Sequence, residues 1–136
     1  MENTMRICVD LDKTLCIGQP YAEAVPFDGA ADFLAGLKRD GHTIILYTAR
    51  GMSRNNGDAG KAVADIGLTT LRQLEEWGFV YDEIYFGKPA ADLYIDDKAL
   101  LAVSYEKLQK QISQAETILK QFDDDNYICN KLNRKL

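Results

Sequence analysis

Long apolar runs and a surplus of positive charge are both missing from this 136-residue chain. No run approaches the ~20 apolar residues that a membrane helix needs, and residues 1–6 lack the apolar stretch of a signal peptide. Lysine and arginine number 16 against 21 aspartates and glutamates, which gives a net charge of −5. Without a basic stripe to release counterions, nucleic acid is not expected as the main partner. The length predicts one domain, and a hydrophobic fraction of 46% suffices for its core.

Cysteine and histidine are also scarce. The three cysteines form no C-x-x-C pair, and an odd count without a pattern predicts reduced thiols in a cytoplasm. Cys8 is interpreted as a small core hydrophobe. The one histidine, His42, lies between a helix-ending glycine and a strand, and is interpreted as structural. The chain therefore lacks a histidine-based metal or acid–base site.

Apolar runs alternate with helical patterns along the first hundred residues. The predicted strands are 6–10, 43–48, 84–86 and 93–95, and the predicted helices are 29–40, capped by Asp28 and ended by Gly41, and 61–77, ended by Gly78. Residues 16–27 are too broken by glycine and proline for a helix and are expected to form a loop or small flap. Because the strands lack polar alternation, the fold class is α/β, with a Rossmann-like parallel sheet flanked by helices.

The first strand ends on two aspartates spaced i, i+2, in the run Asp10-Leu11-Asp12-Lys13-Thr14. In nucleophilic phosphoryl transfer one carboxylate attacks phosphorus and becomes a transient aspartyl-phosphate. Asp10 is the candidate nucleophile. Asp12 is the candidate general acid and later base, which must carry a proton in part of the cycle. Thr14 is expected to hydrogen-bond within the loop, and the alternative for the group is a turn or capping cluster.

Other candidates also follow strands, where the ligands of parallel sheets lie. The hydroxyl of Thr48 and the amide of Ala49 could bind phosphate oxygens, and Lys88 could neutralise charge on nucleophile and phosphoryl group. Asp96 and Asp97 are plausible Mg²⁺ ligands. Taken singly, each has a structural alternative: a strand threonine, a surface lysine, or a cap for the following helix.

The loop after Thr48 carries the candidates for substrate recognition, because arginine and asparagine suit hydroxyl, carboxylate and phosphate groups. They are Arg50, Arg54 and Asn56. The alternative is that these side chains are exposed to solvent and have no role in binding. Leu11, between the two aspartates, completes the predicted phosphate-binding set.

These motifs, Asp10-x-Asp12-x-Thr14, Thr48, Lys88 and Asp96-Asp97, resemble in their order those of the haloacid dehalogenase (HAD) superfamily of phosphohydrolases. The resemblance covers about residues 6–104. It implies a Mg²⁺-dependent phosphatase in which Asp10, the carbonyl of Asp12 and Asp96 bind the metal, with Asp97 in support. It also implies that Lys88 acts in catalysis and in phosphate binding.

A narrower resemblance rests on Tyr47-Thr48-Ala49-Arg50-Gly51-Met52, Asn56-Gly57-Asp58, Tyr81-Asp82-Glu83-Ile84, Gly87-Lys88-Pro89 and Tyr94-Ile95-Asp96-Asp97-Lys98. These stretches are similar to small phosphatases of bacterial capsular polysaccharide clusters, which implies a sugar or polyol phosphate as substrate. Lys13 stands where the superfamily usually has glycine. Neither gap between motifs can hold a cap domain, so the core is expected to be capless and its site open unless 16–27 or another subunit covers it.

The C-terminal part carries an apolar seam spaced 4-3-4-3-4-3 and predicts a long helix over about residues 98–122, followed by a loosely ordered tail over 123–136. The seam residues are Leu101, Tyr105, Leu108, Ile112, Ala115, Leu119 and Phe122. The helix either packs on its own domain or forms a homo-oligomer contact. Capless members of the superfamily frequently oligomerise, which favours the second possibility.

Two other functions compete with the phosphatase. A receiver-like signalling module also gathers acids, a hydroxyl and a lysine at strand ends and forms an aspartyl-phosphate. In a receiver, however, the acidic pair precedes a central phospho-acceptor strand and the lysine comes last, whereas here an acidic pair follows Lys88. An inert interaction protein is disfavoured by the complete set of motifs.

Overall fold

The structure is a computed structural model that describes residues 4–115. The chain divides into two compact units, Met1–Asp92 and Leu93–Leu136, and each is described by itself. The expectation of a single domain over residues 1–136 stays a prediction.

A parallel sheet forms the centre of the first unit. Its strands are β1 (Arg6–Asp10), β4 (Thr43–Thr48) and β5 (Glu83–Phe86), in the order β1-β4-β5. The register pairs Asp10 with Tyr47, and Thr48 with Phe86. The three strands therefore end at one edge of the sheet, where the candidate residues of the sequence follow them.

Two short strands separate β1 from the first helix. β2 (Cys16–Ile17) pairs antiparallel with β3 (Val25–Pro26), and a 3₁₀ turn at Tyr21–Glu23 lies between them. The prediction that 16–27 forms no α-helix is confirmed. The amide of Phe27 donates to the carbonyl of Leu15 at 3.0 Å, which ties the end of this segment back to its beginning.

Two helices flank the sheet. Helix α1 (Ala30–Arg39) buries Phe33, Leu34 and Leu37, which recur at helical spacing on one face. The predicted cap at Asp28 is wrong: the N-cap is Gly29, with φ 86°, and no side chain caps the helix. A left-handed backbone favours glycine over aspartate at that position. Gly41, also at positive φ, follows the helix as predicted.

Helix α2 (Ala59–Glu76) begins two residues before the predicted start. Asp58 caps it, because its carboxylate accepts from the amide of Lys61 at 3.0 Å. Ile66 and Leu74 of α2 are buried, as are Ile44 and Leu46 of β4. These apolar side chains make up much of the core of the first unit.

Asp82 joins three elements just before β5. Its carboxylate accepts hydrogen bonds from the Lys38 side chain at the end of α1 and from the Ile44 amide, the latter at 2.8 Å. Its own amide donates to the Ile44 carbonyl at 2.9 Å. The Lys38 and Ile44 donors hold the pKa of Asp82 below its ordinary value.

The sequence led to interpretations of two single residues, His42 and Cys8, and the structure confirms the first. His42 is buried, and its Nδ1 accepts from the Met5 amide at 3.0 Å, so its role is structural. Cys8 is exposed, and the core interpretation is wrong. Among the described residues β1 pairs with β4 alone, and only Val9 of this strand is buried.

The second unit contains helix α3 (Tyr105–Ser113), capped by Ser104, whose hydroxyl accepts from the Lys107 amide at 3.1 Å. The helix therefore starts later than the predicted residue 98, and the predicted part beyond residue 115 lies outside the described residues. The predicted strand at 93–95 is wrong. Residues 93–95 have no strand structure, and Ile95 is 99% exposed. A strand requires a paired backbone, which three apolar residues alone do not provide.

The predicted fold class is confirmed: the chain is α/β, with a parallel sheet flanked by helices. Within residues 4–115, no cap domain interrupts the order of elements. The segment between Thr14 and α1 holds only the β2–β3 hairpin, and one loop, α2 and β5 lie between Thr48 and Lys88. No helix in the described part of the chain is long and apolar enough to cross a membrane.

Candidate active site

Asp10 ends β1, and both of its carboxylate oxygens accept hydrogen bonds. Thr14 Oγ1 donates to Oδ2 at 3.1 Å, and Lys88 Nζ donates to Oδ1 at 3.2 Å. The Asp10 side chain keeps 35% of its surface exposed, and that of Lys88 keeps 18%. The carboxylate is thus fixed in orientation, paired with a cation, and still open to a ligand.

The turn after Asp10 positions Thr14. The amides of Thr14 and Leu15 donate to the carbonyl of Leu11, at 3.2 and 2.8 Å, which reverses the chain directly after β1. Lys13 adopts φ 67° in this turn. A left-handed conformation costs a residue with a side chain about 1–2 kcal/mol. The Lys13 side chain is exposed.

Asp12 pairs with Arg50. Arg50 Nε lies 3.0 Å from Asp12 Oδ2, and Nη2 lies 3.0 Å from Oδ1. The Arg50 side chain is fully buried, whereas that of Asp12 keeps 26% of its surface exposed. The carboxylate therefore contacts a buried guanidinium and is still partly exposed to solvent.

A buried thiol completes the surroundings of Asp12. Cys16 Sγ donates to Asp12 Oδ1 at 3.5 Å or to the Leu11 carbonyl at 3.7 Å. Burial, with the adjacent Asp12 carboxylate, raises the pKa of Cys16 to about 12. The thiol stays protonated at neutral pH, so it acts as a weak hydrogen-bond donor and not as a nucleophile.

Thr48 ends β4 beside these residues and is buried. Its Oγ1 accepts from the Arg50 amide at 3.0 Å, and its carbonyl accepts from the Lys88 amide at 3.1 Å. The Ala49 carbonyl accepts from the Met52 amide at 3.0 Å. The Thr48 backbone therefore holds the Lys88 backbone at the same sheet edge as Asp10.

The predicted recognition residues of the following loop lie in different environments. Arg54 makes a two-point ion pair with Asp65 of α2, at 2.5 and 3.0 Å, and Asn55 donates to the same carboxylate at 3.0 Å. These two donors hold the pKa of Asp65 below its ordinary value. Asn56 is exposed at φ 54°. Arg50, by contrast, is turned into the interior.

Asp96 and Asp97 belong to the second unit. Asp96 Oδ1 accepts from the Lys98 amide at 2.8 Å, a bond that together with Asp97 lowers the pKa of Asp96. Within residues 4–115, no group of three or more His, Cys, Asp or Glu side chains is clustered to hold a metal ion. The metal-binding roles of Asp10, Asp12, Asp96 and Asp97 stay predictions.

The first unit supplies oxygen donors of the kind that Mg²⁺ prefers. Asp10 offers a part-exposed carboxylate, and the Asp12 backbone follows two residues later. Mg²⁺ commonly takes one or two carboxylates and completes its shell with water and substrate oxygens. The donor chemistry at the end of β1 therefore fits this ion.

Sequence reasoning missed the residues behind Arg50. Thr70 and Gln73 of α2 accept from Arg50 Nη1, at 3.2 and 2.6 Å. The Tyr21 ring lies 4.8 Å from the guanidinium carbon and 5.7 Å from that of Arg54. One signal was available: Thr70 and Gln73 are polar residues three apart, on one helix face.

No protein-family model and no curated protein matches the chain. Among solved structures, a target protein from Vibrio cholerae, described without an activity, is similar with a TM-score of 0.69 and 26% identity, over 82% of this chain and 99% of that chain. This similarity supports the fold over most of the described residues.

A second structure is less similar. It is a D,D-heptose 1.7-bisphosphate phosphatase from B. bronchiseptica complexed with magnesium and phosphate. Its TM-score is 0.44 at 19% identity, over 65% of this chain and 52% of that chain. A similarity of this size carries no conclusion about this chain.

Proposed function

We propose that the protein is a phosphatase of the HAD type, which hydrolyses a small phosphomonoester with Mg²⁺ through an aspartyl-phosphate. The observation that carries the proposal is the arrangement around Asp10. Its carboxylate is oriented by Thr14, paired with Lys88 and part-exposed at the end of a parallel strand. A carboxylate is charged at neutral pH and needs no activating base, but it needs a cation to approach a phosphate dianion.

In the proposed reaction a carboxylate oxygen of Asp10 bonds to phosphorus while the bond from phosphorus to the alcohol oxygen breaks. Asp12 donates a proton to the leaving alkoxide. It then takes a proton from the water that attacks the same phosphorus, and the Asp10–phosphate bond breaks to release inorganic phosphate. The Asp12 side chain, 26% exposed beside Arg50, supports this second role.

Lys88 has two parts in this proposal. Its ammonium group, 3.2 Å from Asp10, offsets the charge of the nucleophile before substrate binds. It also lies close enough to the reacting centre to stabilise charge on the transferring phosphoryl group. Thr48 and Ala49, at the neighbouring strand end, are proposed to bind phosphate oxygens, together with Leu11.

Asp10, the Asp12 carbonyl and Asp96 are the proposed Mg²⁺ ligands, with Asp97 in support. When bound, the ion offsets the negative charge of the phosphoryl oxygens. The part-exposed carboxylate of Asp10 and the oxygen donors that follow it support this assignment for the first unit. The contribution of Asp96 rests on the order of the sequence motifs.

A sugar or polyol phosphate is the proposed substrate class, and capsular polysaccharide synthesis is the proposed setting. The support is the sequence resemblance described above. Arg54 and Asn56 are exposed in the loop after β4 and are the proposed contacts for substrate hydroxyl groups.

Release of inorganic phosphate from p-nitrophenyl phosphate tests the proposed activity. The full chain should release phosphate with Mg²⁺ and stop when the ion is chelated. A receiver-like module would instead become phosphorylated once by a small phosphodonor without sustained turnover. No release from this substrate or from a panel of sugar and polyol phosphates would contradict the proposal.

A further inference from the structure

Every N–H group of the Arg50 guanidinium points at an acceptor within the protein. Nε and one Nη2 donor face the Asp12 carboxylate, and the second Nη2 donor faces Cys16 Sγ at 3.6 Å. The two Nη1 donors face Thr70 and Gln73. A guanidinium has five N–H donors, so none remains for a substrate. Arg50 is also only 1% exposed.

The bonds of Arg50 join four separate segments of the first unit. Gln73 accepts from Arg50 through Oε1 and donates through Nε2 to the Tyr21 carbonyl at 2.6 Å. The Tyr21 ring covers one face of the same guanidinium at 4.8 Å. The 3₁₀ turn between β2 and β3, helix α2 and the loop after β4 are thereby connected to the carboxylate of Asp12.

We propose that Arg50 is a positioning residue that fixes the Asp12 carboxylate for proton transfer, and that Gln73 and Tyr21 hold Arg50 in place. The proposal rests on the function proposed above, in which Asp12 is the general acid and base. Arg50 accordingly does not contact the substrate, although its place in the loop after β4 suggests recognition.

The location of Asp12 explains why it needs such a residue. Asp12 follows β1 in a turn, and its side chain is part-exposed, so other rotamers would direct its carboxylate into water. Proton transfer requires the carboxylate within about 2.6–3.2 Å of the atom it serves. A misplacement of about 1 Å can cost on the order of 100-fold in rate. The two-point contact with a planar guanidinium fixes both carboxylate oxygens, which a lysine cannot do.

Steady-state kinetics on the full chain tests this role. Arg50→Met should lower kcat by on the order of 100-fold with KM changed less than about threefold, and Arg50→Lys should recover only part of kcat. Arg6→Met is the matched control, because Arg6 also forms an ion pair, with Glu83, but at the amino end of β1. Wild-type kcat in a folded Arg50→Met variant, or a rise in KM as its main effect, would overturn the proposal.

A double-mutant comparison separates positioning from other roles. If Arg50 acts through Asp12, Arg50→Lys should cost nothing further in kcat once Asp12→Asn is present. An equal loss in both backgrounds would mean that Arg50 acts independently of Asp12, and the proposal would fail. Circular dichroism and thermal unfolding of each variant identify loss of fold, and Arg50→Lys serves if the methionine variant does not fold.

An NMR measurement tests the contact without using activity. The Arg50 Nε–H group, buried against Asp12, should give a separate and slowly exchanging signal, which should move in Asp12→Asn and stay unchanged in the Arg6→Met control. A signal that exchanges as fast as those of exposed arginines would refute the contact. If the wild type lacks phosphatase activity but shows the protected signal, the proposed function fails while the Arg50–Asp12 contact stands.

Discussion

The Nζ of Lys88 lies 3.2 Å from Oδ1 of Asp10, although 78 positions separate the two residues in the chain. They meet because β1 and β5 run parallel to β4 on either side of it and end at one edge of the sheet. The Lys88 amide bonds to the Thr48 carbonyl and fixes the lysine backbone there. The pair is thus placed by the sheet and not by local sequence.

Replacing Lys88 tests the charge that this pair supplies. Lys88→Met should lower kcat by about 10²–10³-fold, because removing one preorganised group that stabilises transition-state charge has a cost of this order. Lys88→Arg should retain part of the activity. Lys61→Met, on the exposed start of α2, is the control and should keep wild-type turnover. Equal activity of the Lys88→Met and control variants would exclude Lys88 from the reaction.

Asp10→Asn tests the nucleophile. The amide has nearly the same shape but cannot attack phosphorus, so turnover should drop by several orders of magnitude while the fold survives. The exposed Asp40→Asn after α1 controls for the change in charge. A trapped phosphoryl group should be detectable by mass spectrometry in the wild type and missing from the Asp10 variant. Near-normal turnover in Asp10→Asn would rule out the covalent mechanism.

Metal removal tests the cofactor assignment. A chelator should abolish phosphate release, and added Mg²⁺ should restore it without refolding, because an ion held largely by water and one or two carboxylates exchanges readily. Asp96→Asn should raise the Mg²⁺ concentration needed for half-maximal rate, whereas the nearby Asp92→Asn should not. Full activity in excess chelator would contradict the assignment.

The parts of the fold that the sequence predicts are those with a local cause. Apolar runs predict β1, β4 and the core of β5, and helical spacing with terminal glycines predicts α1 and α2. Asp10, Thr48 and Lys88 come together because carboxyl ends of parallel strands share an edge. The wrong cap at Asp28 shows the limit of such reasoning, since Gly29 holds the N-cap position with a φ of 86°.

Features with a non-local cause were not predictable. Cys8 is exposed although it lies within an apolar run of β1, and the run itself does not reveal this. Arg50 lies in a loop rich in glycine and asparagine, which usually indicates a solvent-exposed side chain. Its burial depends on Asp12, Gln73 and Tyr21, which come from three distant positions and share no motif.

The apolar seam of the C-terminal part predicts a homo-oligomer. Leu108 and Ile112 are already buried within a single chain, whereas Leu101 is 80% exposed. Leu119 and Phe122 lie outside the described residues.

Light scattering on a sizing column should show an oligomer for the wild type, and Leu101→Asp should shift it toward monomer without unfolding it. Leu119→Asp tests the distal half of the seam in the same way, and Lys110→Asp, on the exposed side of α3, is the control. A wild type that is monomeric at high micromolar concentration would mean that the seam packs within its own chain.

Acid sensitivity should trace in part to Asp82, whose pKa is held down by the Lys38 ammonium and the Ile44 amide. A carboxyl whose folded-state pKa is depressed contributes stability that is present above its unfolded value, about 3.9, and that is lost as pH falls through the lower folded value. Asp82→Asn should therefore lower the unfolding midpoint at pH 5–8 by a constant amount. The difference between the midpoints of the variant and the wild type should disappear below about pH 4.

Denaturant unfolding from pH 2 to 8 measures this difference, with Asp40→Asn as the control for charge. A difference that persists at pH 2 would mean that Asp82 acts through its shape and not through its ionised carboxylate.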